Sequence, residues 1–145
     1  MIVVQGNLSG PFLAPYVYII ASENLVYIGE TQSHPLFRWG SHITVGGSFW
    51  KAIERSGDPE IDYFENIVFF SHHCVEIETD FTEVQFRIVT QAIEHEIHCA
   101  FAERIGKYQV ISDTSKTAPR QFSRRFEARS IAEKVISRFL DDNSI

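Results

Sequence analysis

Cysteine is scarce in this chain: Cys74 and Cys99 are the only two among 145 residues. A secreted scaffold of this length usually carries several disulfide pairs, so two lone thiols point to a reducing cytoplasm. No apolar run reaches the ~18 residues that a membrane-spanning helix requires, so no membrane partner is expected. The opening "MIVVQGNLSG" has no basic leader and no small-residue cleavage site, so a secretory signal is not expected. Internal repeats and low-complexity tracts are missing too. Basic residues are outnumbered, with 13 Lys and Arg against 19 Asp and Glu and a net charge of −6. That balance works against non-specific binding of nucleic acid by the surface as a whole.

What the chain does have is apolar mass, 44% of residues, enough to bury the core of one domain spanning residues 1–145. Its charge is unevenly placed. Residues 1–115 hold 6 basic and 15 acidic side chains, whereas residues 116–138 hold 7 basic and 2 acidic. The basic segment contains Lys116, Arg120, Arg124, Arg125 and Arg129. It can either track a phosphate backbone or lie as a solvated face that pairs with the acidic body.

"PYVYII" (15–20) and "LVYIG" (25–29) read as two strands around the hairpin loop "ASEN". "SHPLFRWGSHI" (33–43) reads as a helix, with Ser33 as N-cap and Pro35 in the first turn. Ser48 is the expected cap of a second short helix that Gly57 ends. "IDYFENIVFF" (61–70) reads as a third strand. From about Thr82 to Ile105 the apolar spacing turns helical, and a last helix is expected over about 122–140 with Phe126, Ile131, Val135, Ile136 and Phe139 facing inward. "YQVIS" is a short strand or an ordered loop, and "IVVQ" could add an edge strand. The class is α+β, a small antiparallel sheet of about three strands flanked by helices.

The hairpin has two plausible registers. A four-residue loop pairs Tyr18 with Tyr27; a two-residue turn at Glu23-Asn24 pairs Tyr18 with Gly29. In either register Tyr18 and Tyr27 share one face, because side chains alternate with period two. Arg38 and His42 stand four apart on the first helix, hence on one side of it. Glu94 lies on the long helix. Two phenols, a guanidinium, an imidazole and a carboxylate suit phosphodiester hydrolysis: Arg grips phosphate, and a carboxylate holds Mg²⁺ or Mn²⁺.

In this order the motifs resemble the GIY-YIG nuclease domain, over roughly residues 15–112. "YVY" (16–18) stands at the family's G-I-Y triplet, "YIG" (27–29) matches unchanged, "RWGSH" (38–42) supplies the helical Arg and His, and "IEHEI" (93–97) is similar to the metal-binding helix. The resemblance implies a metal-dependent endonuclease acting on DNA. Tyr18 and Tyr27 would orient or deprotonate water, Arg38 would bind the scissile phosphate, His42 would assist proton transfer, and Glu94 would hold one Mg²⁺ or Mn²⁺ ion. Tyr16 replaces the family's first-motif glycine. The family's asparagine beyond the metal-binding helix has only Ser112 or Asp113 as a substitute. The alternative is a catalytically degenerate module of the same fold that binds nucleic acid or a protein partner. Sequence specificity, if any, would come from a homodimer or a partner.

Two other readings carry less. "HEIH" (95–98) spaces its histidines three apart, whereas a zinc-protease helix needs four. His72, His73 and Cys74 could join His95, His98 and Cys99 around a structural zinc if strand end and helix came together.

Overall fold

The computed structural model describes residues 1–78, 83–113 and 124–144; the side chains of residues 83, 84 and 125 lie outside this description. Lys116 and Arg120 therefore fall outside the described residues, as does the start expected for the last helix.

The chain forms an α+β fold around a five-stranded mixed sheet. Its elements are β1 (Ile2–Gly6), β2 (Leu13–Ser22), β3 (Leu25–Ser33), α1 (Pro35–Ile43), α2 (Ser48–Ser56), β4 (Ile67–His73), the single turn α3 (Val75–Glu78), α4 (Glu83–Arg104), β5 (Gln109–Val110) and α5 (Arg125–Asp142). The strand order is β1-β4-β2-β3-β5. The expected antiparallel trio is the centre of the sheet, β4-β2-β3. The count of three is corrected to five, because β1 adds parallel to β4 and β5 parallel to β3.

β2 sits at the middle, and this explains why "YVYIIA" shows no polar alternation: both of its faces are covered. On one face Val17, Ile19, Val26, Ile28 and Phe70 pack with Val89, Ile93 and Ile97 of α4 and with Ile131, Val135 and Phe139 of α5. On the other, Tyr18, Ile20, Leu25 and Phe69 pack with Trp39 of α1 and Phe49, Ala52 and Ile53 of α2. Trp39 stacks on Phe69 at 4.7 Å between ring centroids. Phe126, expected to face inward on the last helix, is instead 87% exposed at the first turn of α5. The inner stripe of that helix begins at Ala128 and Ile131.

The hairpin settles on the two-residue turn. Ser22 faces Leu25, Tyr18 faces Gly29, and Glu23 takes a left-handed backbone with φ 52°. Near its start β2 shifts register between Leu13 and Tyr16, around Pro15, which has no N–H to give to a ladder. Helix starts differ by one residue from expectation: His34, not Ser33, caps α1, its ring nitrogen accepting from the Leu36 amide, and Gly47 rather than Ser48 precedes α2. The third strand begins only at Ile67. Tyr63 is buried in the turn before it, where its hydroxyl accepts from the Asp58 amide at 2.9 Å and its carbonyl from the Ser22 hydroxyl at 2.6 Å.

Candidate functional site

β3 is covered by β5 only at its first two residues, Leu25 and Val26. Beyond them no described strand pairs with that edge: the Ser112 side chain meets the Ile28 amide, Gly29 and Glu30 follow, and side chains from both faces of the sheet come together at this opening.

From the α1–α2 face come Tyr18, Tyr27, Arg38 and His42. The Tyr18 hydroxyl lies 2.7 Å from His42 Nε2, and the Tyr27 ring lies 4.7 Å from the same imidazole. Tyr18 reaches His42 by lying across Gly29. A Cβ at Gly29 would sit 2.7 Å from Tyr18 Cε2 and closer still to the end of the ring, so only glycine leaves this path open. Burial raises the pKa of Tyr18 well above the ordinary phenol range, while the neighbouring Arg38 pulls it back down. Burial also raises Tyr27, opposed by Ser48 and Arg38. Burial, with Arg38 adding to it, pushes His42 down to about 4. At neutral pH this imidazole is therefore uncharged, and its Nδ1 has no hydrogen-bond partner among the described residues. Arg38 loses by desolvation, but Tyr18, Tyr27 and Glu30 more than offset this, so its charge is secure. Its side chain is exposed, the arrangement that a phosphate grip needs.

From the α4 face comes Glu94. It is close enough to both phenols to oppose their ionisation. Burial, followed by the charge of Glu30, pushes its own carboxyl up to about 8. Glu30 is the partner that sequence reasoning missed. It extends from β3 beside the opening, accepting from Thr90 Oγ1 at 2.7 Å and from the Gln32 amide. The only signal available was its place directly after "YIG"; nothing in the sequence marked Thr90. Glu96, the other carboxylate of "IEHEI", lies instead against α5, where Arg129 Nε is 3.5 Å away.

Ser112, not Asp113, is built into the edge. Its hydroxyl accepts from the Ile28 amide at 2.9 Å and lies 2.8 Å from His98 Nε2, while His98 Nδ1 lies 2.9 Å from the Glu94 carbonyl oxygen. The chain thus ties α4 to β3 beside the opening. Asp113 is exposed and faces Arg55 at 3.9 Å. Tyr16, where the resembling family carries glycine, is accommodated: it is fully buried, its hydroxyl donates to the Pro11 carbonyl at 2.5 Å, and its ring lies 5.0 Å from that of His73.

The zinc alternative finds no support in placement. His72 pairs with Glu76 at 2.8 Å and His73 with Glu78 at 3.0 Å, whereas His98 belongs to the Ser112 tie. Among the described residues, no group of three or more His, Cys, Asp and Glu side chains is placed to hold a metal ion. Among the described residues of the basic segment, Arg129 pairs with Glu96 and Lys134 with Glu76 at 3.5 Å, both in the acidic body, whereas Arg124 pairs with Glu127 inside the segment.

Comparisons with protein-family models, with curated proteins and with solved structures found no match to this chain.

Proposed function

We propose that this chain is a divalent-metal-dependent endonuclease of GIY-YIG type that hydrolyses phosphodiester bonds in DNA. One observation carries the reading. The exposed Arg38, the Tyr18–His42 pair and the half-buried Glu94 meet at a single strand edge, although they are spread over nearly eighty residues of chain.

The donor set suits a hard cation. Glu94 is held near 8 by burial and by Glu30, so a positive charge between the two carboxyls would relieve both costs. Mg²⁺ keeps several waters and takes only one or two carboxylates, which fits a site where no third acidic or imidazole ligand is placed among the described residues. Glu94 would hold it, with Glu30 beside. Once bound, the ion supplies charge stabilisation on the phosphate and lowers the pKa of bound water. The protein's own groups do the rest. Arg38 clamps the phosphate oxygens. Neutral His42 accepts the proton of the Tyr18 hydroxyl as that phenol takes one from the attacking water. Tyr27 closes the pocket around the imidazole. The bond from water oxygen to phosphorus forms as the bond to the leaving ester oxygen breaks, and that oxygen leaves with a proton from solvent.

A second reading, a catalytically degenerate module binding nucleic acid or a protein, is favoured by one feature: Arg124 and Arg129 already face carboxylates and are not poised for phosphates. The deciding experiment offers duplex, branched and single-stranded DNA with Mg²⁺ or Mn²⁺. Cutting that is lost in Arg38→Ala and Glu94→Gln supports the nuclease. Absence of cutting on every substrate supports the binding module.

A further inference from the structure

The surface around the start of α1 carries an unusual combination. Phe12, just before β2, is 58% exposed, and Phe37, on α1, is 62% exposed. Their rings meet edge to face with centroids 5.1 Å apart. Leu13 and Leu36, their chain neighbours, are also exposed. Two aromatic rings left in water next to each other are not explained by packing, since neither joins a core cluster.

Charge says what they would meet. In an acidic chain, the segments that build this surface, residues 7–22 and 31–50, contain a single charged side chain, Arg38. Arg38 directly follows Phe37 on α1, so that ring and the guanidinium are presented by one rigid element, with the Phe12 ring packed against Phe37 from the segment before β2. Two exposed rings adjoining one cation, on segments that carry no carboxylate of their own, have the composition of a single-strand binding surface: bases stack on rings while the backbone phosphate meets the cation. A protein partner would more naturally meet a patch rimmed by charge from its own segments, and residues 7–22 and 31–50 supply Arg38 alone.

We infer that Phe12 and Phe37 form a base-stacking platform for unpaired nucleotides next to the Arg38 phosphate site. The substrate class is therefore DNA with a single-stranded segment, such as a flap, bubble or unpaired end, and not uninterrupted duplex. This rests on the phosphate-binding role given to Arg38 above.

The test measures binding, not cutting, so that it is independent of catalysis. Fluorescence anisotropy follows a labelled oligo(dT) strand and a labelled hairpin duplex closed by a non-nucleotide linker, in EDTA, with the full chain. The single strand is expected to bind more tightly than the duplex. Phe12→Ala and Phe37→Ala are each expected to weaken single-strand binding by about fivefold to a hundredfold, with little effect on the hairpin. Both sites are exposed, so thermal unfolding should be unchanged. Phe37→Leu separates stacking from general apolar contact: it should fall with alanine, whereas Phe37→Trp should retain or improve binding. Equal affinity of the leucine variant and the native chain would overturn the platform and return the patch to a protein-docking surface. Equal loss on strand and hairpin would overturn it too. If the native chain cuts duplex DNA but prefers no single strand, the platform falls and the nuclease stands. If it binds single strands through these rings but cuts nothing, the reverse holds.

Discussion

Replacing Glu94 by glutamine removes a buried charge while keeping shape, and its effect on stability can be worked out in advance. The carboxyl has an ordinary pKa of 4.5 and is pushed up to about 8 in the fold. The native state therefore binds this proton more tightly than the unfolded chain. Below about pH 4.5 both states are protonated and Glu94 makes no difference. Between there and pH 8 the unfolded chain ionises first, so stability falls as pH rises; above 8 the full cost is present. At ~1.4 kcal/mol per tenfold change in proton affinity, the upper bound is roughly 5 kcal/mol, which relaxation and water entry reduce to a few. Urea unfolding of native protein and Glu94→Gln, in EDTA from pH 5 to pH 9, measures the difference. The two chains should converge at pH 5, and the variant should be more stable by about 2–4 kcal/mol at pH 9. Titrating groups remote from Glu94 act equally on both chains and cancel. Mg²⁺ should restore the native chain above pH 8 and leave the variant nearly unchanged. Parallel curves for the two proteins would refute both the burial of this carboxyl among like charge and the cation assigned to it.

His42 works in the opposite sense. Its pKa is lowered to about 4, so stability is full above pH 6.5 and is lost as pH falls toward 4; His42→Gln should remove up to about 3 kcal/mol of this acid sensitivity in the same titration. Gly29→Ala should destabilise by about 1–3 kcal/mol, read by chemical unfolding, because its Cβ runs into the Tyr18 ring. Removing the charges of Arg124 and Arg129 together should reduce the slope of log affinity against log salt by less than the about two expected of two free phosphate contacts, since both already face carboxylates.

The sequence shows the hairpin and its shared face because strand periodicity is a local property: Tyr18 and Tyr27 lie on one side in either register. It could not choose between registers, since that depends on whether Glu23 accepts a left-handed backbone. The edge strands were the harder part. β1 and β5 pair in parallel with partners distant in sequence or only two residues long, and no turn signal marks such pairings. Phe126 was misread because helical spacing assigns a phase but not the point at which a helix first meets the core. Glu94 and Glu96 flank the same stripe equally, and only the position of α5, which claims Glu96 through Arg129, separates them. Glu30 and Ser112 act through the open edge of β3, a feature of tertiary arrangement that has no footprint in local sequence.

The most direct test of the account is phosphodiester cleavage by the intact chain in Mg²⁺ or Mn²⁺, compared with folded Arg38→Ala and Glu94→Gln proteins. The native chain is expected to nick or cut DNA, and each variant to lose about 100-fold or more. Cleavage at native rates by either variant, verified as folded, would contradict it.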